Sequence, residues 1–174
     1  MANLSQDLNQ PLNQNHSRAR SLRHLKNKMA KYPEQLKLEN QLCFPLYVAS
    51  KEIVRKYQPI LDKHELTYTQ YIVLMDLWEY GTQSVKEIGE RIYLDSGTLT
   101  PLLKKLEKKG LLKRVKDPKD ERSVLIELTK EGKDFRKDAE EIPLQIAQCV
   151  KLEPSEAKTL YTLLYKAIGG FMNE

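Results

Sequence analysis

Leu42, Leu46, Ala49, Ile53 and Tyr57 recur at steps of three and four through an otherwise polar stretch, the spacing of one apolar face on an α-helix. The pattern predicts a first helix over about 39–57. Pro45 is tolerated only in the opening turns, so this helix cannot begin much before residue 40. A second helix opens at Thr67-Tyr68-Thr69-Gln70, which has capping-box spacing. It carries Tyr71, Ile72, Leu74, Met75 and Trp78 and stops at Gly81. Ser84-Val85-Lys86-Glu87 repeats the capping-box pattern and starts a short third helix over 85–92. After a turn at 93–95 a fourth helix runs to Lys109, and Gly110 ends it. Its start is open at this stage. Either Asp95 caps it and Pro101 distorts the second turn, or Thr100 caps it with Pro101 at the favoured first position.

Two strands follow, 111–115 and 123–128, flanking the polar tip Lys116-Asp117-Pro118-Lys119-Asp120-Glu121-Arg122. Thr129-Lys130-Glu131-Gly132 opens another helix, to about Ala139 or beyond, which Pro143 breaks or kinks. A last helix after Glu153-Pro154-Ser155 carries the stripe Ala157, Leu160, Tyr161, Leu164, Ile168 and Phe171. Tyr71, Tyr161 and Tyr165 read as core residues. Residues 1–34 are rich in Asn and Gln and then basic, with too little apolar content for a core, and read as a mobile leader. A short helix within 17–31 fits Leu22, Leu25 and Met29, with Pro33 as its end. The organisation expected is therefore a leader over 1–34 and one domain over 35–174.

At 174 residues and 40% hydrophobic composition the chain suits one such domain. No apolar run approaches the roughly 20 residues that span a bilayer, and the first residues carry no apolar signal core, so no membrane and a cytoplasmic location are expected. Two cysteines in that compartment are normally reduced. The net charge of +5 says little by itself. Its distribution says more. Lys104, Lys105, Lys108, Lys109, Lys113, Arg114, Lys116 and Lys119 face only Glu107 and Asp117 between positions 104 and 119. Such a run is either a solvated face or a surface that tracks phosphates.

The order of elements decides between these. Helix, short helix, turn, helix and β-hairpin is the order of a winged helix–turn–helix, whose second helix enters the major groove of duplex DNA. The front of the fourth helix suits that role. Ser96, Thr98 and Thr100 offer short hydroxyl donors, Gly97 permits close approach, and Lys104 and Lys105 can pair with phosphates or guanine edges. Lys116, Lys119 and Arg122 at the hairpin tip suit phosphates or a narrow minor groove.

The segment Asp120-Glu121-Arg122-Ser123-Val124-Leu125-Ile126-Glu127-Leu128-Thr129 resembles the wing signature of MarR-type regulators. Two blocks, Lys37-Leu38-Glu39-Asn40-Gln41-Leu42-Cys43-Phe44 and Tyr93-Leu94-Asp95-Ser96-Gly97-Thr98-Leu99-Thr100-Pro101-Leu102-Leu103, are similar to the organic-hydroperoxide-sensing (OhrR) branch of that family. The resemblance spans about 36–172. It implies a mainly α fold, a winged helix–turn–helix over 67–129 with one β-hairpin wing, and dimerisation helices over 36–66 and 130–174. It implies a homodimeric repressor on a double-stranded operator. It places Asp95, Ser96, Thr98 and Lys105 at or near the DNA, and Arg122 in the minor groove braced by Asp120.

A peroxide sensor needs a thiolate, because the thiolate is the nucleophile. Cys43 stands near a helix N-terminus, which favours an anion. Tyr47, four residues on, shares its helix face. Tyr57, fourteen residues on, is about 21 Å away along a straight helix at about 1.5 Å per residue, so it can serve only the Cys43 of an antiparallel partner. The resemblance adds that Tyr57 of the partner and Tyr68 of the same chain hold the reactive sulfur, with Tyr47 nearby. An apolar wall of Leu42, Phe44 and Leu46 favours organic hydroperoxides as inducers. Cys149, before the last helix, matches the branch members that carry a second, resolving cysteine. An idle buried cysteine, or an external thiol as resolver, is the other reading. The competing function is a repressor of the same fold released by a small aromatic ligand. A turning-over thiol peroxidase lacks any thioredoxin-like pattern here. His16, His24 and His64 have no metal-ligand spacing, so neither metal nor cofactor is expected.

Overall fold

The computed structural model describes residues 33–118 and 123–172. The helix proposed within 17–31, and Lys119, Asp120 and Arg122 of the hairpin tip, lie outside the described residues. Two short 3-10 turns, Glu34–Leu36 and Leu38–Asn40, lead into helix α1, Cys43–Leu61. Helix α2, Tyr68–Tyr80, is followed by strand β1, Gln83–Ser84, and helix α3, Val85–Ile92. Helix α4, Ser96–Lys108, leads into strands β2, Leu112–Lys116, and β3, Val124–Leu128. Helices α5, Lys130–Ala139, α6, Ile142–Ala147, and α7, Pro154–Met172, complete the chain. The expected mainly helical winged helix–turn–helix is what forms.

The helix starts follow from their caps. Thr67 accepts from the Gln70 amide at 3.3 Å while Thr67 N–H donates to the Gln70 side chain at 3.0 Å. Ser84 and Glu87 make the same reciprocal pair at 3.2 and 2.7 Å. These bonds satisfy donors that a helix start otherwise leaves open. The open choice at α4 falls to Asp95, whose carboxylate accepts from Thr98 N–H at 2.9 Å and Thr98 Oγ1–H at 2.7 Å. Pro101 therefore lies inside the helix. There it stands at the sixth residue, where its missing N–H forgoes only one bond, to the Gly97 carbonyl in the first turn.

Two expectations need correction. The first helix begins at Cys43 rather than near 39, and it runs past Tyr57, through Pro59, to Leu61. Pro59 deletes one N–H, yet the last turn is held because Leu61 is buried and anchors it in the core. The wing is also more than a hairpin. Strand β1 joins it to give a three-stranded antiparallel sheet in the order β1-β3-β2, with Gln83 opposite Ile126 and Leu112 opposite Leu128. Two residues are too short for a periodic signal, so β1 had none to read.

The chain divides into two units, one ending at Ser50 and the other beginning at Lys51. In the second, Leu61, Tyr71, Leu74 and Leu77 meet Ile88, Leu99, Leu103, Leu106, Leu112 and Ile126, all at most 1% exposed. This core joins α2, α3, α4 and the sheet. Gly89 allows the tight turn from α3 to α4, because a Cβ there would stand 2.6 Å from the Leu94 carbonyl oxygen. Tyr93 closes that turn in the left-handed conformation, φ 56°. Tyr161 and Tyr165, expected in the core, are exposed, as are Leu160, Leu163 and Phe171 of the same helix. The α7 stripe is real, but nothing among the described residues of the chain covers it.

Candidate DNA-reading and thiol site

The DNA-facing candidates gather on one helix start. Asp95 caps α4, and Ser96, Gly97 and Thr98 form its exposed first turn, with Thr100 half-buried behind them. The Asp95 carboxyl is held below its ordinary value, first by the Thr98 hydroxyl and then by the Thr98 amide. It is thus an anion spent on capping rather than one that repels DNA from a free position. Buried Leu99, Leu103 and Leu106 clamp the opposite face of α4 to the core. The polar face is therefore presented by a rigid element, as groove recognition needs.

The basic run splits in two. Lys109 pairs with Glu65 at 3.2 Å, Lys113 with Glu127 at 3.3 Å, and Arg114 with Glu107 at 3.4 Å. The first ties the end of α4 to the turn before α2, the second joins β2 to β3, and the third joins β2 to α4. Lys104, Lys105, Lys108 and Lys116 are exposed. Among the described residues of this run, the charges left exposed to meet phosphates are those of the α4 face and the end of β2.

The second cluster is aromatic. Tyr57 of α1 and Tyr68 of α2 have ring centroids 4.6 Å apart, and Tyr71 stands 6.0 Å from Tyr57. Burial raises the phenol pKa of Tyr57, with the neighbouring Tyr68 adding to it, and burial likewise raises Tyr68. Burial, then Tyr57 and Tyr68, push Tyr71 up to about 12. All three keep their protons at neutral pH and remain hydrogen-bond donors. Tyr57 and Tyr68 come together only through the fold, since one lies near the end of α1 and the other begins α2.

Cys43 is the first residue of α1, and both it and Tyr47 are exposed. Cys149 is also exposed, in the turn after α6, where its Sγ–H donates to the Gln145 carbonyl at 3.6 Å. Both thiols are free. Within the single chain Cys149 is not buried. Among the described residues no group of three or more His, Cys, Asp or Glu side chains converges as a metal site, and no helix is long and apolar enough to cross a membrane. Sequence reading passed over one cluster, the buried Asp76 with Gln83 and Arg91. A lone carboxylate within the apolar run Ile72–Trp78 was the available signal, because a core charge demands a partner.

A helix–turn–helix held rigid from behind, polar and cationic in front, and flanked by a basic three-stranded wing defines a winged-helix DNA-binding regulator. The comparisons agree. The family model for the transcriptional regulators SarA/Rot matches residues 55–139. The organic hydroperoxide resistance transcriptional regulator of Bacillus subtilis is 48% identical over 132 residues, 76% of this chain and 90% of that protein. The HTH-type regulator SarZ of Staphylococcus aureus is 46% identical over 74% of this chain and 87% of its own. Among solved structures, reduced AbfR bound to DNA matches with a TM-score of 0.66 and 34% identity, over 82% of this chain and all of that one. AbfR, from Staphylococcus epidermidis, has also been solved with a disulfide formed, TM-score 0.57 and 32% identity over 85% and 99% of the two chains. The chain belongs to the MarR family of transcriptional regulators, in its organic hydroperoxide resistance (OhrR) branch.

Proposed function

We propose that the protein is a homodimeric repressor that holds its operator while Cys43 is reduced and lets go when an organic hydroperoxide oxidises it. The observation that carries this reading is the half-buried Tyr57–Tyr68 pair, two phenols kept protonated at a 4.6 Å ring separation. Protonated phenols are the donors that an ionised sulfur requires in an apolar setting. Because the two rings stand together and Tyr57 lies about 21 Å along α1 from its own Cys43 at about 1.5 Å per residue, in the proposed dimer Tyr57 and Tyr68 of one chain both serve the Cys43 of the other, rather than being divided between two sulfurs, and Tyr47 stands beside the sulfur. The exposed apolar residues of α1 and α7 supply the dimer contact.

The chemistry balances with the named reactants alone. The Cys43 thiolate attacks the distal oxygen of ROOH. The O–O bond breaks, ROH leaves after taking a proton, and Cys43 becomes a sulfenic acid. The Cys149 thiol of the other subunit then attacks that sulfur, a disulfide forms and water leaves. The exposure of Cys149 supports this role, as does the disulfide-formed structure of AbfR. Joining residues on opposite subunits draws the dimer helices together and turns the two α4 helices out of step with successive major grooves. Ser96, Gly97, Thr98, Thr100, Lys104 and Lys105 then lose the operator, as do Lys116, Lys119 and Arg122 of the wing, with Asp120 as brace.

A second reading keeps one observation. An open cleft of about 950 Å³ lies beside α3, lined by Val85, Lys86, Gly89, Tyr93, Leu94 and Met172 among others, and could admit a small aromatic inducer. Gel shifts on the DNA upstream of the protein's own gene separate the two. Cumene hydroperoxide releases wild type and leaves Cys43→Ser bound if the thiol is the switch. On non-reducing gels the oxidised wild type runs as a covalent dimer and Cys149→Ser does not. An unchanged monomer band for wild type removes Cys149 from the scheme.

A further inference from the structure

In the winged module a closed polar ring joins the buried Asp76 and Gln83 to Arg91, whose side chain is 35% exposed. Asp76, on the last turns of α2, has a side chain only 3% exposed. Its Oδ1 receives Arg91 Nε at 2.7 Å, and its Oδ2 accepts from Gln83 Nε2 at 2.5 Å. The ring closes where Arg91 Nη2 donates to Gln83 Oε1 at 2.7 Å. The guanidinium also lies 3.6 Å from the centroid of the Tyr80 ring, a cation–π contact that covers it from the other side. Both carboxylate oxygens, both ends of the amide and two guanidinium nitrogens are thus used.

The three members come from three elements. Asp76 belongs to α2, the helix that backs the module. Gln83 belongs to β1, whose backbone pairs with Ile126 and Leu125 of the wing strand β3. Arg91 belongs to the last turn of α3, and after it come only the turn at Tyr93, closed by Leu94 N–H on the Gly89 carbonyl at 2.9 Å, and the Asp95 cap of α4. The ring therefore spans the joint between the wing sheet and the helix that leads into the recognition helix.

Stability does not account for it. Burial raises the Asp76 carboxyl pKa, against the opposing pull of Arg91 and Gln83. Buried ion pairs can often be replaced by apolar groups of similar volume at no loss, or with a gain. What an apolar replacement does not reproduce is direction. Three fixed donor and acceptor geometries allow one arrangement of three elements, whereas packed methyl groups allow several close ones.

We propose that the Asp76–Gln83–Arg91 ring is a positioning device for DNA binding. It sets the angle between the wing and α4, and Arg91 acts through the protein rather than by touching DNA. The test is the double variant Asp76→Leu/Arg91→Met, with operator affinity measured by fluorescence anisotropy over a range of salt concentrations beside a random duplex. The thermal midpoint is expected to equal or exceed that of wild type. Operator affinity is expected to fall on the order of tenfold, comparable to one mismatched base pair. Affinity for the random duplex stays as it was, and the slope of log K against log salt is unchanged because no phosphate contact is lost. Arg91→Lys also loses operator affinity, since a lysine cannot make the forked contact to Asp76 and Gln83.

Unchanged discrimination between operator and random DNA in a folded double variant overturns the proposal. So does a slope that shallows by about one phosphate, which makes Arg91 a direct DNA contact. Should the double variant not fold, Asp76→Asn and Arg91→Lys carry the same measurement. If none of the three folds, the ring is a stability element and the positioning role is wrong.

Discussion

Helices α4 and α7 look alike as sequence and differ as structure. Each carries a stripe of leucines and other apolar residues at helical spacing. In α4 the stripe of Leu99, Leu103 and Leu106 is fully buried. In α7, nineteen residues long, no residue is buried, and Leu160, Tyr161, Leu163, Tyr165 and Phe171 all face out. Periodicity reports that a face needs covering. It does not report whether the same chain covers it. On the proposed function a second copy covers α7, while α4 is finished within one chain.

The largest effect should come from the finished helix. Leu103→Ala is expected to cost about 2–5 kcal/mol of folding stability, through lost transfer energy and the cavity left behind. Urea unfolding followed by circular dichroism measures it, and a cost below 1 kcal/mol would mean that α4 is not anchored as described. On α7 the same kind of change acts elsewhere. Leu160→Asp should weaken association by about 2 kcal/mol or more, the scale of an interface hot spot, while the chain keeps its helical spectrum. Sedimentation velocity decides this: a dimer that persists at low micromolar concentration removes α7 from the interface.

The tyrosines sharpen the contrast on a smaller scale. Tyr57, Tyr68 and Tyr71 are raised chiefly by burial, whereas Tyr165 is raised first by its hydrogen bond with the exposed Tyr161. A buried phenol with a raised pKa holds its proton longer than in the unfolded chain. The stability this contributes is complete below the ordinary phenol value of about 10 and is lost as the pH climbs through the folded value, near 12 for Tyr71. Tyrosinate absorbance should show these three titrating late and together with unfolding. Their titration near 10 in a still-folded protein would contradict the cluster.

Much of this was legible beforehand, for physical reasons that differ by element. Thr67-Gln70 and Ser84-Glu87 announce their helices because a cap is a local bond between residues three apart. The stripe of the last helix, from Ala157 to Phe171, was readable because a helix converts spacing into a face. The start of α4 was not, since Asp95 and Thr100 are both good caps and only the packed structure selects Asp95. The extension of α1 through Pro59 depends on burial of Leu61, a tertiary effect. Strand β1 was invisible for the same reason, and the Asp76 ring showed only its lone carboxylate: each exists only because β3 or Arg91 arrives from elsewhere in the chain. At the site, chemistry marked Cys43, Tyr47 and Cys149 as residues to examine. The meeting of Tyr57 with Tyr68 needed the fold.

One comparison reaches the centre of the account. Labelled operator is bound to wild type and to Cys43→Ser, one equivalent of cumene hydroperoxide is added, and anisotropy is followed with time. The account predicts that wild type dissociates and that reductant restores binding, while the serine variant stays bound throughout. Release of the serine variant at the wild-type rate would contradict it and move the switch away from the thiol.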